Sequence, residues 1–276
     1  GQGDRMTLLN NWENTYFKFD EKLLAELMKE AKHLGVDMFL LDDGWFGNKH
    51  PRNSDNAGLG DWEVMKSKLP GGIPALVKSA KEAGVKFGIW IEPEMINPKS
   101  ELFEKHPDWA ITLPNRETYY YRNQLVLDLS NPKVQDFVFG VVDRLMTQYP
   151  ELAYIKWDAN MTLANYGSSY LSKEKQSHLY IDYHRGFRKI VERIRLKYPD
   201  LVMQACASGG GRANYGVLAG FDEFWVSDNT DALQRVYMQW GTSYFFPAIA
   251  MASHISASPN HQTFRRIPLK YRIDVA

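Results

Sequence analysis

EKLLAELMKEAKHLGVDMFLLDDGW, residues 21–45, contains one complete repeating unit of the fold. Leu23, Leu24, Leu27 and Met28 recur at helical spacing and predict an amphipathic helix. Gly35 follows the last turn, where a left-handed cap closes a helix. The run MFLL comes next. An unbroken apolar run of this length reads as a strand covered on both faces, and such strands are parallel and joined by helices. The unit then ends on Asp42, Asp43 and Trp45, a polar rim after a buried strand.

The same order recurs along the chain. IPALVKSAKEAG (73–84) leads to VKFGIWIEPE (85–94), and PKVQDFVFGVVDRLMTQYP (132–150) to ELAYIKWDAN (151–160). YHRGFRKIVERIRLKYP (183–199) leads to DLVMQACASGGG (200–211). TLLNNW, EFWVSD, FPAIAMASH and LKYRIDVA add further runs. Together they predict strands over 7–12, 38–43, 86–92, 153–158, 201–206, 223–228, 246–253 and 269–275. Eight strands alternating with helices predict an α/β fold, a (β/α)8 TIM barrel. A doubly wound sheet would have fewer strands and a Gly-rich first turn, and that turn is absent. The eighth predicted strand has no helix behind it, and the chain starts GQGD. We therefore expect residues 1–276 to be a single catalytic barrel, truncated at its C-terminal end and excised from a longer multidomain protein.

Composition narrows the function. The chain carries 33 basic and 33 acidic residues, unclustered, so nothing recruits nucleic acid or an anionic membrane. A single cysteine excludes an internal disulfide. There is no apolar run long enough to span a bilayer. Eight Trp and fifteen Tyr are many, and several Trp sit beside acids, as in DDGW, GDW and KWD. Large aromatics are mostly packing residues, but aromatics next to carboxylates also suit a sugar, whose C–H face stacks on indole while its hydroxyls meet the acids.

Chemistry in a barrel sits at the C-terminal ends of the strands. Acids end four of them here: Asp42 and Asp43, Glu92 and Glu94, Asp158, and Asp228 with Asp231. Converging carboxylates repel unless a ligand or a cation separates their roles. Asp158 could simply cap the next helix. Lys156, two residues earlier on the same face, instead suggests a charge-compensated pocket that keeps a nucleophile ionised. Asp228 could also be a cap, with Asn229 and Asp231 competing for that place. Glycoside cleavage needs one ionised and one protonated carboxyl, and aromatic neighbours such as Trp225 could hold Asp228 protonated. A metal would want a compact cluster with His or Cys spacing; no such motif exists, so no metal and no cofactor are expected. GGGR lacks the Lys-Ser/Thr of a phosphate loop and reads as flexible or as a close backbone approach to a ligand. Glu92 and Glu94 are not separated by the sequence, and His254 and His261 read as structural or rim residues.

LLDDGWF, GIWIEPEMI, YIKWDAN, CASGGGR, WVSDNTDA and SASPNHQT, in that order, resemble the α-galactosidases of glycoside hydrolase family 36. The resemblance runs from about residue 8 to the end. It implies a retaining hydrolase that removes terminal α-galactosyl residues from oligosaccharides through a covalent galactosyl-enzyme. It assigns Asp158 as nucleophile and Asp228 as acid/base. It assigns Asp42 and Asp43 to the galactose 4- and 6-hydroxyls, Trp90 to stacking, and Arg122 and Lys156 to ring hydroxyls. Cys206 and Gly209 match the pair that closes over the 2-hydroxyl, which favours galactose over N-acetylgalactosamine. The partners implied are galactose-containing oligosaccharides, with an oligomer open to the full-length protein. Two alternatives stand beside hydrolysis: galactosyl transfer of the raffinose-synthase type, and a sugar-binding barrel without catalysis. The β-sandwich and the smaller β domain usual in the family are absent from the sequence.

Overall fold

The computed structural model describes residues 5–276. Among them, seven strands form one parallel sheet in the order β1-β2-β3-β6-β7-β8-β9. The strands are β1 (Leu8–Asn10), β2 (Met38–Leu41), β3 (Lys86–Ile91), β6 (Leu152–Trp157), β7 (Val202–Ala205), β8 (Glu223–Trp225) and β9 (Met251–Ala252). Two short strands, β4 (Met95–Ile96) and β5 (Leu125–Val126), pair antiparallel above β3. The helices are α1 (Trp12–Thr15), α2 (Glu21–His33), α3 (Gly72–Ala83), α4 (Glu101–Lys105), α5 (Pro132–Gln148), α6 (Leu179–Lys197), α7 (Tyr215–Leu218), α8 (Ala232–Ser243) and α9 (Leu269–Val275).

Local chemistry sets the boundaries. Asp20 caps α2 by accepting from the Leu23 amide at 2.8 Å, and Gly35 leaves the helix with φ +78°, which a side chain would resist. Asn131 caps α5 ahead of Pro132. Period-two alternation sorts the core. Phe39 and Leu41 of β2 face the helices, where Leu24 and Met28 of α2 are fully buried. Met38 and Leu40 face inward onto Tyr154, Leu8 and Val202. Each large apolar side chain so buried contributes about 1.5–3 kcal/mol.

The sheet curls. Residues of β1, β2, β6, β7, β8 and β9 line one cavity, which only a closed or nearly closed surface allows. No backbone pairing joins β1 to β9 among the described residues. Side chains span that seam instead. Near the N-terminal ends of the strands, the Arg5 guanidinium donates to the carbonyls of Ile249 and Asp222 at 2.9 and 2.7 Å. At the opposite rim, Glu13 accepts from the Thr230 hydroxyl at 2.7 Å and the Ala257 amide at 2.9 Å.

The eighth predicted strand is not one. Residues 269–275 form α9. Pro268 precedes its first turn, and Lys270 pairs with Asp274 one turn on at 2.6 Å. Its apolar residues are exposed or half-buried, and the helix leans on α8 through the Gln239 amide to the Val275 carbonyl. The predicted strand over 246–253 is also shorter than expected, because a 3-10 turn at Ala248–Ala250 takes up its first half.

Candidate active site

Asp158 stands one residue past β6. Its amide extends the ladder to the Ile91 carbonyl at 2.8 Å. The alternation of β6 sends Lys156 and Asp158 inward and Ile155 and Trp157 toward the helices. Asp158 is 6% exposed. Its Oδ2 accepts from Trp90 Nε1 at 3.1 Å and Asn160 Nδ2 at 2.9 Å, and its Oδ1 from the Ala159 amide at 2.9 Å. No helix starts at Asp158, so the capping alternative fails; the next helical turn is at 173–178.

Lys156 reaches across to Asp42 Oδ2 at 2.9 Å, where Asn10 Nδ2 also donates at 2.6 Å. Burial works against the ammonium charge, but Asp42 outweighs it, helped by Asp158, and Lys156 is held charged. The adjacent Asp43 turns the other way. Arg52, 1% exposed, grips both its oxygens, with Nε to Oδ1 at 2.9 Å and Nη2 to Oδ2 at 2.8 Å.

Asp228 follows β8. The cap of α8 is Asp231, which accepts from the Leu233 and Gln234 amides, so Asp228 is free for another role. Burial raises the Asp228 carboxyl above the usual carboxylate range, and the charge of Asp158 raises it further. Lys156 and Arg122 pull it down, and so does the hydrogen bond from Trp225 Nε1 to Oδ1 at 3.1 Å. The expectation that Trp225 helps keep this group protonated is therefore corrected. Its indole N–H favours the anion, and burial supplies the opposite push.

Two features fix the Asp228 backbone. Gly209, at φ +90°, pairs with Ser227, and a Cβ there would lie 2.5 Å from Ser227 Cα. Arg235, 1% exposed, donates to the carbonyls of Ser227 and Asn229 at 2.5 and 2.8 Å.

Asp42, Asp43, Trp90, Arg122, Lys156, Asp158 and Asp228 line one cavity of about 720 Å³. Cys206 and Gly209 are not on its lining. Cys206 is buried behind it, its thiol pushed up by burial and by Asp158, so it stays a neutral thiol. Arg122 enters from a tight hairpin in which it and Asn123 both have positive φ, 52° and 59°. Tyr121 and Gln124 pair across this turn, whose twist matches a type I′ turn.

The two glutamates after β3 part company. Glu94 is fully buried and takes both Arg212 amino nitrogens, Trp157 Nε1 and the Tyr183 hydroxyl, so it braces the wall. Glu92 lies beside the site: its Oε1 accepts from the Asn160 amide at 2.5 Å and Gln124 Nε2 at 2.8 Å. Burial, then the charge of Asp158, pushes its carboxyl well above the usual range.

The melibiase family profile matches residues 2–276. The chain belongs to the melibiase family. It is 42% identical over 273 residues to alpha-galactosidase AgaA of Geobacillus stearothermophilus, covering 99% of this chain and 37% of AgaA. It is 45% identical over 261 residues to the bifunctional alpha-galactosidase/sucrose kinase AgaSK of Mediterraneibacter gnavus, covering 95% of this chain and 27% of AgaSK. The crystal structure of AgaA superposes with a TM-score of 0.94 at 43% identity, covering 99% of this chain and 38% of that one. Variants of AgaA have been solved in complex with raffinose and with stachyose. This melibiase-family chain thus spans little more than a third of the length of AgaA.

Several residues at or around the cavity were not picked out from the sequence. Asn160, two residues past Asp158, lines the cavity; the period-two spacing that marks Lys156 marks it too. Glu13 sits at the rim with His254 Nε2 and His261 Nδ1 at 3.4 and 3.2 Å from its Oε1, neither aligned for a hydrogen bond. Arg52 and Arg235 lie in loop and helix sequence with no strand-end signal.

Proposed function

We propose that this chain is the catalytic barrel of a retaining α-galactosidase that removes terminal α-galactosyl residues from oligosaccharides of the raffinose and stachyose kind. Asp158 attacks the anomeric carbon while Asp228 protonates the departing glycosidic oxygen; a covalent galactosyl-enzyme forms. Asp228, now ionised, then takes a proton from water, which attacks the same carbon and releases Asp158. Asp42 and Asp43 receive the 4- and 6-hydroxyls, Trp90 stacks on the ring, and Arg122 and Lys156 meet the remaining hydroxyls. Cys206 and Gly209 stand off the lining, so any limit they set beside the 2-hydroxyl is indirect, Gly209 through its close approach to the backbone of Ser227 and Asp228.

One observation carries the reading. Two carboxyls line one cavity under opposite conditions: Asp158 with three N–H donors, Asp228 pushed toward its protonated form by burial and by Asp158 itself. The family membership and the raffinose and stachyose complexes of AgaA variants support the sugar assigned to it. The test is NMR of the first product from an aryl α-galactoside. α-Galactose as the initial anomer supports retention; β-galactose overturns it. The same reaction run with sucrose present, and analysed for trisaccharide, distinguishes transfer from hydrolysis.

A further inference from the structure

Asp43 and Arg122 approach the cavity from separate loops, and two buried side chains, Arg52 and Asn97, join them. Asn97, fully buried just past β4, uses all of its amide. Its Oδ1 accepts from Arg52 Nη1 at 3.2 Å and from the Leu59 amide at 2.9 Å. Its Nδ2 donates to the carbonyls of Asp55 at 3.2 Å and Asn123 at 2.8 Å. Arg52 in turn holds both oxygens of Asp43. One amide therefore connects the carboxylate of Asp43 to the turn that carries Arg122.

That turn needs an anchor. Arg122 and Asn123 both occupy the left-handed region, at φ 52° and 59°. Asn tolerates it and Arg does not do so readily, so such a conformation persists only where its surroundings over-determine it. Asn97 holds the carbonyl of Asn123, and Gln124, the next residue, is held by Glu92. Without the first of these links the turn can relax to ordinary backbone angles and withdraw the guanidinium.

We propose that Asn97 is a positioning residue that sets Asp43 and Arg122 relative to one another and so governs the grip on the sugar. It touches no substrate itself. The inference rests on reading the cavity as an α-galactoside site.

The experiment uses the full-length protein and p-nitrophenyl α-galactoside. Unaltered protein that fails to turn this substrate over would defeat the functional reading; turnover shows that reading intact and opens the test of Asn97. Asn97→Ala is expected to raise KM about tenfold while kcat stays within about twofold, because the lost contacts serve ground and transition states alike. Ser100→Ala, whose hydroxyl caps α4 and donates to the Asn97 carbonyl, should lower Tm and leave KM alone. If Asn97→Ala does not fold, Asn97→Asp is measured in its place: it keeps the acceptor for Arg52 and Leu59 and loses the donor to Asn123. A folded variant with KM changed less than about twofold, or with kcat lowered as much as KM is raised, overturns the proposal.

Discussion

Asp158 follows a six-residue strand that pairs over five positions with β3 and four with β7. Asp228 follows a three-residue strand that pairs over two positions with each neighbour. Around Asp158 the backbone does the holding, and the side chains only tune the carboxylate. Around Asp228 the ladder is too short, and Gly209 and Arg235 take over by fixing the carbonyls and the chain path. The contrast follows the two proposed tasks. A nucleophile must stay in line with one carbon. An acid/base must change protonation twice in each cycle, so its surroundings must balance influences that favour and disfavour its charge.

The sharpest break in the comparison is at the nucleophile. Asp158→Asn should reduce kcat at least about 10⁴-fold on every α-galactoside, since no other group can form the covalent intermediate. Residual turnover with an aryl substrate close to that of the unaltered protein would remove Asp158 from its role. Asp228→Ala should cost about 10²–10⁴-fold on raffinose-type substrates and much less at the first step with a good leaving group. Azide should restore the second step and yield an α-galactosyl azide, the retained anomer; no rescue and an equal loss on all leaving groups would count against the assignment.

Two smaller effects sharpen the difference between the walls. Because Asp228 is raised above its ordinary value and must be protonated to act, kcat/KM falls as pH rises through its value in the enzyme. Trp225→Phe removes a donor that favours the anion, so the alkaline limb should move to higher pH. A limb that moves to lower pH would show that Trp225 works the other way.

Glu13 tests the seam beside Asp228. Burial would raise its carboxyl, but the nearby His254 imidazole, the Thr230 hydroxyl and the Ala257 amide hold it below its ordinary value. Its stabilisation is present above the unfolded value of 4.5 and is lost as pH falls through its lowered value in the fold. Glu13→Gln should therefore destabilise by about 1–2 kcal/mol at neutral pH, with a difference that shrinks on acidification. Equal Tm values for both proteins at pH 7 would remove the seam contact from the account.

Legibility in the sequence followed the same divide. β2, β3 and β6 are long, apolar and two-sided, and their runs MFLL, FGIWI and AYIKW announce both their type and the acids behind them. β8 and β9 are short, so FPAIAMASH looked like a full strand when Pro247 in fact starts a 3-10 turn. The alternation in LKYRIDV imitated a strand, while the Lys270–Asp274 spacing marked a helix. The lining acids could be named because they sit at strand ends. Arg52, Asn97 and Arg235 could not, since they act through loops whose contacts are set only by the folded chain.

The seam between β1 and β9 bears on solubility. Unpaired strand edges invite other chains to add to them, and the hazard grows with the length and flatness of the edge. Here one border offers three residues and the other two. A guanidinium at one end and a carboxylate at the other already bridge the opening. A foreign strand seated there would gain few hydrogen bonds and would have to displace both bridges, so this border is poorly suited to seed aggregation.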